Sequence, residues 1–242
     1  MYNFELCIEE TFNIHELLEI VRLTPNTIYA YNLTIKSTEL KIRERNFPTI
    51  LNNKVLSRIT VKILEKDAGL SKSLMKSLNI YDIVALEVSN DEEFKTALNA
   101  MPDLITFDCT DDLRLKHGYI REAINSGIYI EIKIRCGHDY QKRSNWLYNL
   151  YFILSLTKGK NIIISSGATK KIDIKNSQDI YSILNSYLSR KQSEIVLNKN
   201  PKNFLIRAAS KRYTFNSVLF NDTNSGILKS FFMNIMKNFS AH

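Results

Sequence analysis

KGKNIIISSGATKK, residues 158–171, is the stretch on which the reading of the whole chain turns. Its middle, Asn161 to Ser165, is dominated by isoleucine and suits a buried strand. Gly159 stands where the helical segment ending YFILSLTK must stop. Beyond the strand, Ser165, Ser166, Gly167 and Ala168 make a small-residue loop whose backbone N–H groups can come close to a phosphate. Lys158, Lys160, Lys170 and Lys171 bracket it, although each lysine taken alone also reads as a solvated loop charge. The stretch is therefore a strand end, a phosphate cradle or a catalytic pocket.

Working outward, similar runs recur at FELCI (4–8), TIYAYNL (27–33), RITVKIL (58–64), YDIVALEV (81–88), DLITF (103–107) and IYIEIKI (128–134). Between them apolar residues take helical spacing: Ile14, Leu17, Leu18 and Val21 after an Asn13/Glu16 capping pair; Phe94, Ala97 and Leu98; Trp146, Leu147, Leu150, Ile153 and Leu154. Ile180, Ile183, Leu184, Tyr187 and Leu188 continue the series behind a Ser177 cap. Seven strands in strict βα order, with a candidate eighth at YTFNSVLF (213–220), predict an α/β fold: a TIM-like (β/α) barrel closed by a C-terminal amphipathic helix. Ile227, Leu228, Phe231, Phe232, Ile235 and Met236 form that helix's stripe, read as barrel packing. Residues 36–54 offer at most a short, charged helix.

Composition is consistent with one domain spanning residues 1–242. The apolar fraction is 44%, and the seven glycines and four prolines nowhere cluster into a linker. No run approaches the ~20 apolar residues of a membrane span, and the first residues lack a basic-then-apolar targeting pattern. Cys7, Cys109 and Cys136 are widely spaced and odd in number, which fits a reducing compartment. Charge is uneven: residues 1–121 carry 15 Lys/Arg against 18 Asp/Glu, a net −3, and residues 122–242 carry 18 against 7, a net +11. An anion-binding surface in the second half follows, with nucleic acid or phosphate as partner.

Reactive groups in a parallel barrel belong at the carboxyl ends of its strands. There the chain offers Asp108, Cys109, Asp111 and Asp112; Cys136, His138 and Asp139; and Cys7, Glu9 and Glu10. A zinc site can be drawn from Cys109, Cys136 and His138, but no Cys-x-x-Cys or His-x-His pair supplies two ligands locally. Four histidines (His15, His117, His138, His242) are too few for a multinuclear centre, and no nucleophile elbow or nucleotide-binding glycine loop is present. The expectation is no catalysis by this chain alone and no cofactor. Arg207 and Lys211 share a helical face opposite Phe204, Leu205 and Ala208, near Arg212, Arg190 and Lys191, and suggest a phosphate-tracking surface.

SRITV (57–61), YDIVAL (81–86), DLITFD (103–108), AINSGIYIEI (123–132) and KGKNIIISSGA (158–168) resemble, in order and spacing, the barrel subunit of eukaryotic and archaeal ribonuclease P, the thirty-kilodalton or component 3 family, shared with ribonuclease MRP in eukaryotes. The resemblance spans roughly residues 4–212. It implies a barrel related to the polymerase and histidinol phosphatase (PHP) phosphoesterases that serves an RNA enzyme in tRNA 5′ processing and rRNA processing while the RNA cuts. It also implies catalytic RNA, a small ferredoxin-like-fold subunit and other subunits as partners, precursor tRNA indirectly, and a nuclear or nucleolar location in a eukaryote, cytoplasmic otherwise. Those phosphoesterases carry a His-x-His motif on the first strand, where this chain reads FELCIEE. By motif position the RNA-binding residues are Arg58, Lys158, Lys160, Ser165, Ser166 and Gly167; by charge alone, Lys170, Lys171, Arg207, Lys211 and Arg212. Arg58 also reads as half of an internal ion pair. Residues 36–54 and 213–242 follow no family pattern. The rival is a metal-dependent phosphoesterase using Asp108, Asp111, Cys136 and His138.

Overall fold

A computed structural model of the protein describes residues 3–39, 47–64, 70, 72–136, 139–215, 218–219 and 226–239. Strands and helices alternate: β1 (Asn3–Glu9), α1 (Ile14–Leu23), β2 (Thr27–Lys36), β3 (Leu56–Lys62), α2 (Lys72–Ser77), β4 (Ile83–Glu87), α3 (Asp91–Ala100), β5 (Leu104–Thr106), α4 (His117–Asn125), β6 (Tyr129–Lys133), α5 (Tyr140–Thr157) and β7 (Ile162–Ser165). Then come α6 (Ser177–Asn185), α7 (Arg190–Glu194), a π-helical turn (Ile195–Lys199) and α8 (Asn200–Tyr213). Every expected strand from the first to the seventh is present, and each from β2 onward pairs in parallel with its predecessor.

The sheet curls until β1 meets the residues after β7. Ile8 and Ala168 form a parallel bridge, with the Glu9 N–H donating to the Ala168 carbonyl at 2.9 Å. At the opposite end the seam is open, and the π-helical turn packs against both β1 and β7. Asn200 fastens this wedge through its Nδ2, which donates to the Gly159 and Ile162 carbonyls at 2.8 Å each.

Strand alternation sorts side chains onto two faces. Tyr31, Leu33, Ile59, Val61, Leu86, Ile105, Ile130 and Ile132 face the helices and join the larger core. Leu6, Ala30, Leu56, Ile83, Leu104 and Ile163 point inward at the amino end of the barrel. They are covered by Phe204, Leu205 and Ala209 of α8 and by Leu228 and Phe232 of α9 (Ile227–Phe239). The C-terminal stripe thus packs on the barrel floor; the Met236 side chain lies outside the described residues.

The candidate eighth strand is a correction. Within residues 213–220, β8 (Thr214–Phe215) and β9 (Val218–Leu219) pair antiparallel in a two-stranded sheet of their own. Strand composition told of an extended chain, not of its partner. The α6 cap is Asn176, whose Oδ1 accepts from the Gln178 N–H, and Ser177 is the first helical residue. The described part of residues 36–54 adds two 3-10 turns, Ser37–Glu39 and Thr49–Leu51.

Basic residues of α8 hold it to the loops at the amino end. Asp103 accepts from Arg212 Nη2 at 2.7 Å, from Lys211 Nζ at 2.9 Å and from the Val84 N–H at 3.0 Å. Truncating Asp103 to alanine leaves Arg212, whose side chain is 3% exposed, without its counterion. The expected loss is about 2–4 kcal/mol in urea unfolding, with α8 amides exchanging faster than those of β6. Uniform exchange in the variant would contradict this anchoring role.

Candidate functional site

The upper half of the barrel interior is polar, which is unusual for a packed β/α barrel. Arg58 of β3 and Glu131 of β6 form a bidentate pair, both N···O distances 2.6 Å, with both side chains at 0% exposure. Arg58 Nη1 also donates to the Leu6 carbonyl at 2.7 Å, and Ser165 Oγ donates to Glu131 at 2.8 Å. Above this layer Thr60 Oγ1 donates to Asn32 Oδ1 at 2.6 Å, and Asn32 Nδ2 donates to Glu9 at 2.8 Å. Lys133 Nζ reaches the other Glu9 oxygen at 3.0 Å.

Charge inside this column is compensated. Burial alone would raise the pKa of Glu131 and Glu9; Arg58 holds Glu131 below its usual range, and Lys133 with Asn32 takes Glu9 down to about 2. Burial opposes the Lys133 ammonium, and neighbouring carboxylates outweigh it and hold its pKa above the ordinary lysine value. Burial raises the Cys7 thiol well above its usual range and takes Cys109 up to about 12, so both stay protonated and unreactive at neutral pH.

Over the column lies the barrel mouth, a cavity of about 560 Å³. Its cations are Lys62, Lys133, Arg135 and Lys142, and its carboxylates are Glu9, Glu87, Asp108 and Asp139. Lys62 pairs with Glu87 at 2.6 Å and Lys133 with Glu9. Among the described residues, no group of three His, Cys, Asp or Glu side chains converges as metal ligands. His138 of the rival phosphoesterase set lies outside the described residues. Of the mouth carboxylates, Glu9 is held by the Lys133 ammonium and the Asn32 amide, and Glu87 by Lys62.

The expected RNA-binding residues separate into four groups. Arg58 is a correction: its guanidinium is fully buried and spent on Glu131 and the Leu6 carbonyl, beyond reach of a nucleic acid. Ser165 is buried with its hydroxyl on Glu131, Ser166 gives its N–H to Glu5 at 3.1 Å, and Gly167 is buried against the Lys133 stem at φ +60°. Arg207, Lys211 and Arg212 bond to the Ser126 carbonyl (2.8 Å), to Asp103 and, for Arg212, to the Tyr81 carbonyl (2.6 Å), so they are structural contacts of α8. Lys158, Lys160, Lys170 and Lys171 are exposed.

Those four lysines do not surround one cradle. Lys158 caps α5 in the left-handed conformation at φ 52°, and Gly159 follows at φ +78°, where a Cβ would sit 2.7 Å from Val196 Cγ2. Lys158 and Lys160 are thus at the amino end of β7. Lys170 and Lys171 lie beyond its carboxyl end, across a four-residue strand spanning about 13 Å at the usual rise. At that end a pocket of about 340 Å³ is lined by Arg135, Arg143, Lys170 and Lys175. Only Lys170 of these was expected; the others come from separate segments, and the sole advance signal was the charge of the second half.

The sequence model for "RNase P subunit p30" matches residues 3–213. The chain is 34% identical over 140 residues to Protein GAMETOPHYTE DEFECTIVE 1 of Arabidopsis thaliana, covering 56% of this chain and 24% of that protein. It is 27% identical over 189 residues to the Ribonuclease P/MRP protein subunit RPP1 of Saccharomyces cerevisiae, covering 71% and 64%. The chain therefore spans about a quarter and just under two thirds of these relatives. A chain of a cryo-EM structure of archaeal Ribonuclease P with mature tRNA superposes with a TM-score of 0.66 at 17% identity, covering 92% of this chain and 99% of that one.

Proposed function

Since this chain belongs to the RNase P subunit p30 family, we propose that it is a noncatalytic protein subunit of ribonuclease P, shared with ribonuclease MRP. It binds the RNA component for tRNA 5′ processing and, through ribonuclease MRP, rRNA processing. The family match over residues 3–213 carries the reading. The compensated barrel interior supports it, since Arg58, Lys133, Glu9 and Glu131 are committed to one another and leave no activated base or nucleophile among them. The partners in this reading are the RNA, a small ferredoxin-like-fold subunit, other subunits and, indirectly, precursor tRNA. In a eukaryote, as the relatives in yeast and Arabidopsis favour, the compartment is the nucleus and nucleolus, and otherwise the cytoplasm; residues 1–242 act as one domain.

The mechanism is electrostatic scaffolding: surface cations neutralise RNA phosphates and release condensed counterions. Capture of the tagged full-length protein from its own cells, followed by sequencing of the bound RNA, is expected to enrich the ribonuclease P RNA. Chelator-sensitive hydrolysis of a phosphomonoester by the isolated, RNA-free chain would overturn the reading in favour of an enzyme. Charge reversal of both Lys158 and Lys160 is expected to weaken RNA binding on the order of tenfold near physiological salt, checked by filter binding.

A further inference from the structure

We propose that the pocket between the carboxyl ends of β6 and β7 is where this subunit grips the phosphodiester backbone of RNA, through Arg135, Arg143, Lys170 and Lys175. This rests on the function proposed above and assigns it a place. The four cations come from three separate segments: Arg135 just after β6, Arg143 in the first turn of α5, and Lys170 and Lys175 in the loop after β7. All four are exposed. They converge on a pocket of about 340 Å³ that also presents Ser166 and Thr169.

The carboxylate balance separates this pocket from its neighbour. The barrel mouth, which shares Arg135 and Cys136 with it, sets four cations against four carboxylates and has no net preference for an anion. Among its described lining residues, the β6–β7 pocket has four cations and one carboxylate, Asp173. Asp173 is turned to its own loop: its Oδ2 accepts from the Thr169 N–H at 3.2 Å, the Thr169 hydroxyl at 3.0 Å and the Lys170 N–H at 3.0 Å. That arrangement fixes the backbone carrying Lys170, while the pocket keeps a formal surplus of three positive charges. The N-terminus of α5 is capped by Asp139, whose Oδ1 accepts from the Lys142 N–H at 2.8 Å, so the positive charge of the pocket is that of its side chains.

A cluster this size suits one or two adjacent phosphates, and a polyanion gains from several such contacts at once. Small polyphosphates share the chemistry, so the test separates the two. The full-length double variant Arg135→Gln/Lys175→Gln is compared with Arg22→Gln/Lys95→Gln, which removes the same charge from the exposed surface of α1 and α3. Each is titrated with transcribed ribonuclease P RNA at several salt concentrations, after melting curves establish that all fold alike.

The pocket variant is expected to bind about tenfold more weakly, with a salt slope shallower by roughly 1.5–2, and the control to match the wild type. Equal weakening in both variants would overturn the pocket assignment and leave RNA binding standing. Absence of salt-dependent binding by the wild type would remove the underlying reading itself. In a separate titration, micromolar binding of inorganic pyrophosphate that is lost in the pocket variant, with RNA affinity unchanged, would replace RNA by a small polyphosphate.

Discussion

Replacing Arg58 with methionine is expected to lower stability by about 3–5 kcal/mol, read as a fall in the urea midpoint with the slope unchanged. The guanidinium is fully buried and donates to both Glu131 oxygens at 2.6 Å and to the Leu6 carbonyl at 2.7 Å. Removing it strands a carboxylate at 0% exposure with the Ser165 hydroxyl as a remaining donor. Glu131 then takes up a proton on folding, so the deficit shrinks as pH falls below neutrality. The paired variant Arg58→Met/Glu131→Leu is expected to recover most of the loss, since a packed apolar pair dispenses with both desolvation penalties. Recovery stays incomplete because Leu6 O and Ser165 Oγ lose their partners. A midpoint unmoved by Arg58→Met would refute the buried pair. Unchanged RNA affinity of folded Arg58→Met at low temperature would separate this structural role from a nucleic-acid contact.

Glu5 is expected to make the wild type less stable as pH rises. Burial lifts its pKa from 4.5 to about 7, against the opposing hydrogen bonds from Ser166 and Cys7. Below pH 4.5 both folded and unfolded chains hold the proton, and no difference arises. Between 4.5 and 7 the unfolded chain releases it while the folded chain retains it, so stability declines through that window and levels off above it. The shift corresponds to about 3 kcal/mol. Glu5→Gln is expected to flatten the decline and to exceed the wild type at pH 8 by about 1–3 kcal/mol. Glu9 acts in the opposite sense, and its contribution is lost only as pH falls from 4.5 towards 2. Parallel pH profiles for the wild type and Glu5→Gln would dismiss the claim.

The seven barrel strands were legible because each is a dense run of β-branched or aromatic residues, and the structure places their ends within a few residues of those runs. The floor-packing helix was legible from its stripe. What pairs with what was less so. YTFNSVLF has the composition of a barrel strand and forms a hairpin, because that choice depends on a neighbour rather than on the segment. Arg58 stood on an identifiable strand face, but its partner lies 73 residues away. The basic pocket was hidden for the same reason: Arg135, Arg143 and Lys175 meet only once β6, α5 and β7 are side by side.

The bridge between Ile8 and Ala168 also sets a timetable for biosynthesis. A parallel edge formed early must wait for some 160 further residues before it finds its mate, on the order of ten seconds or more at ribosomal speed. Throughout that interval the nascent protein exposes unpaired backbone amides and carbonyls, the condition under which chains join edge to edge. Chaperone demand during translation should therefore peak before the seventh strand emerges and subside once the ring is sealed.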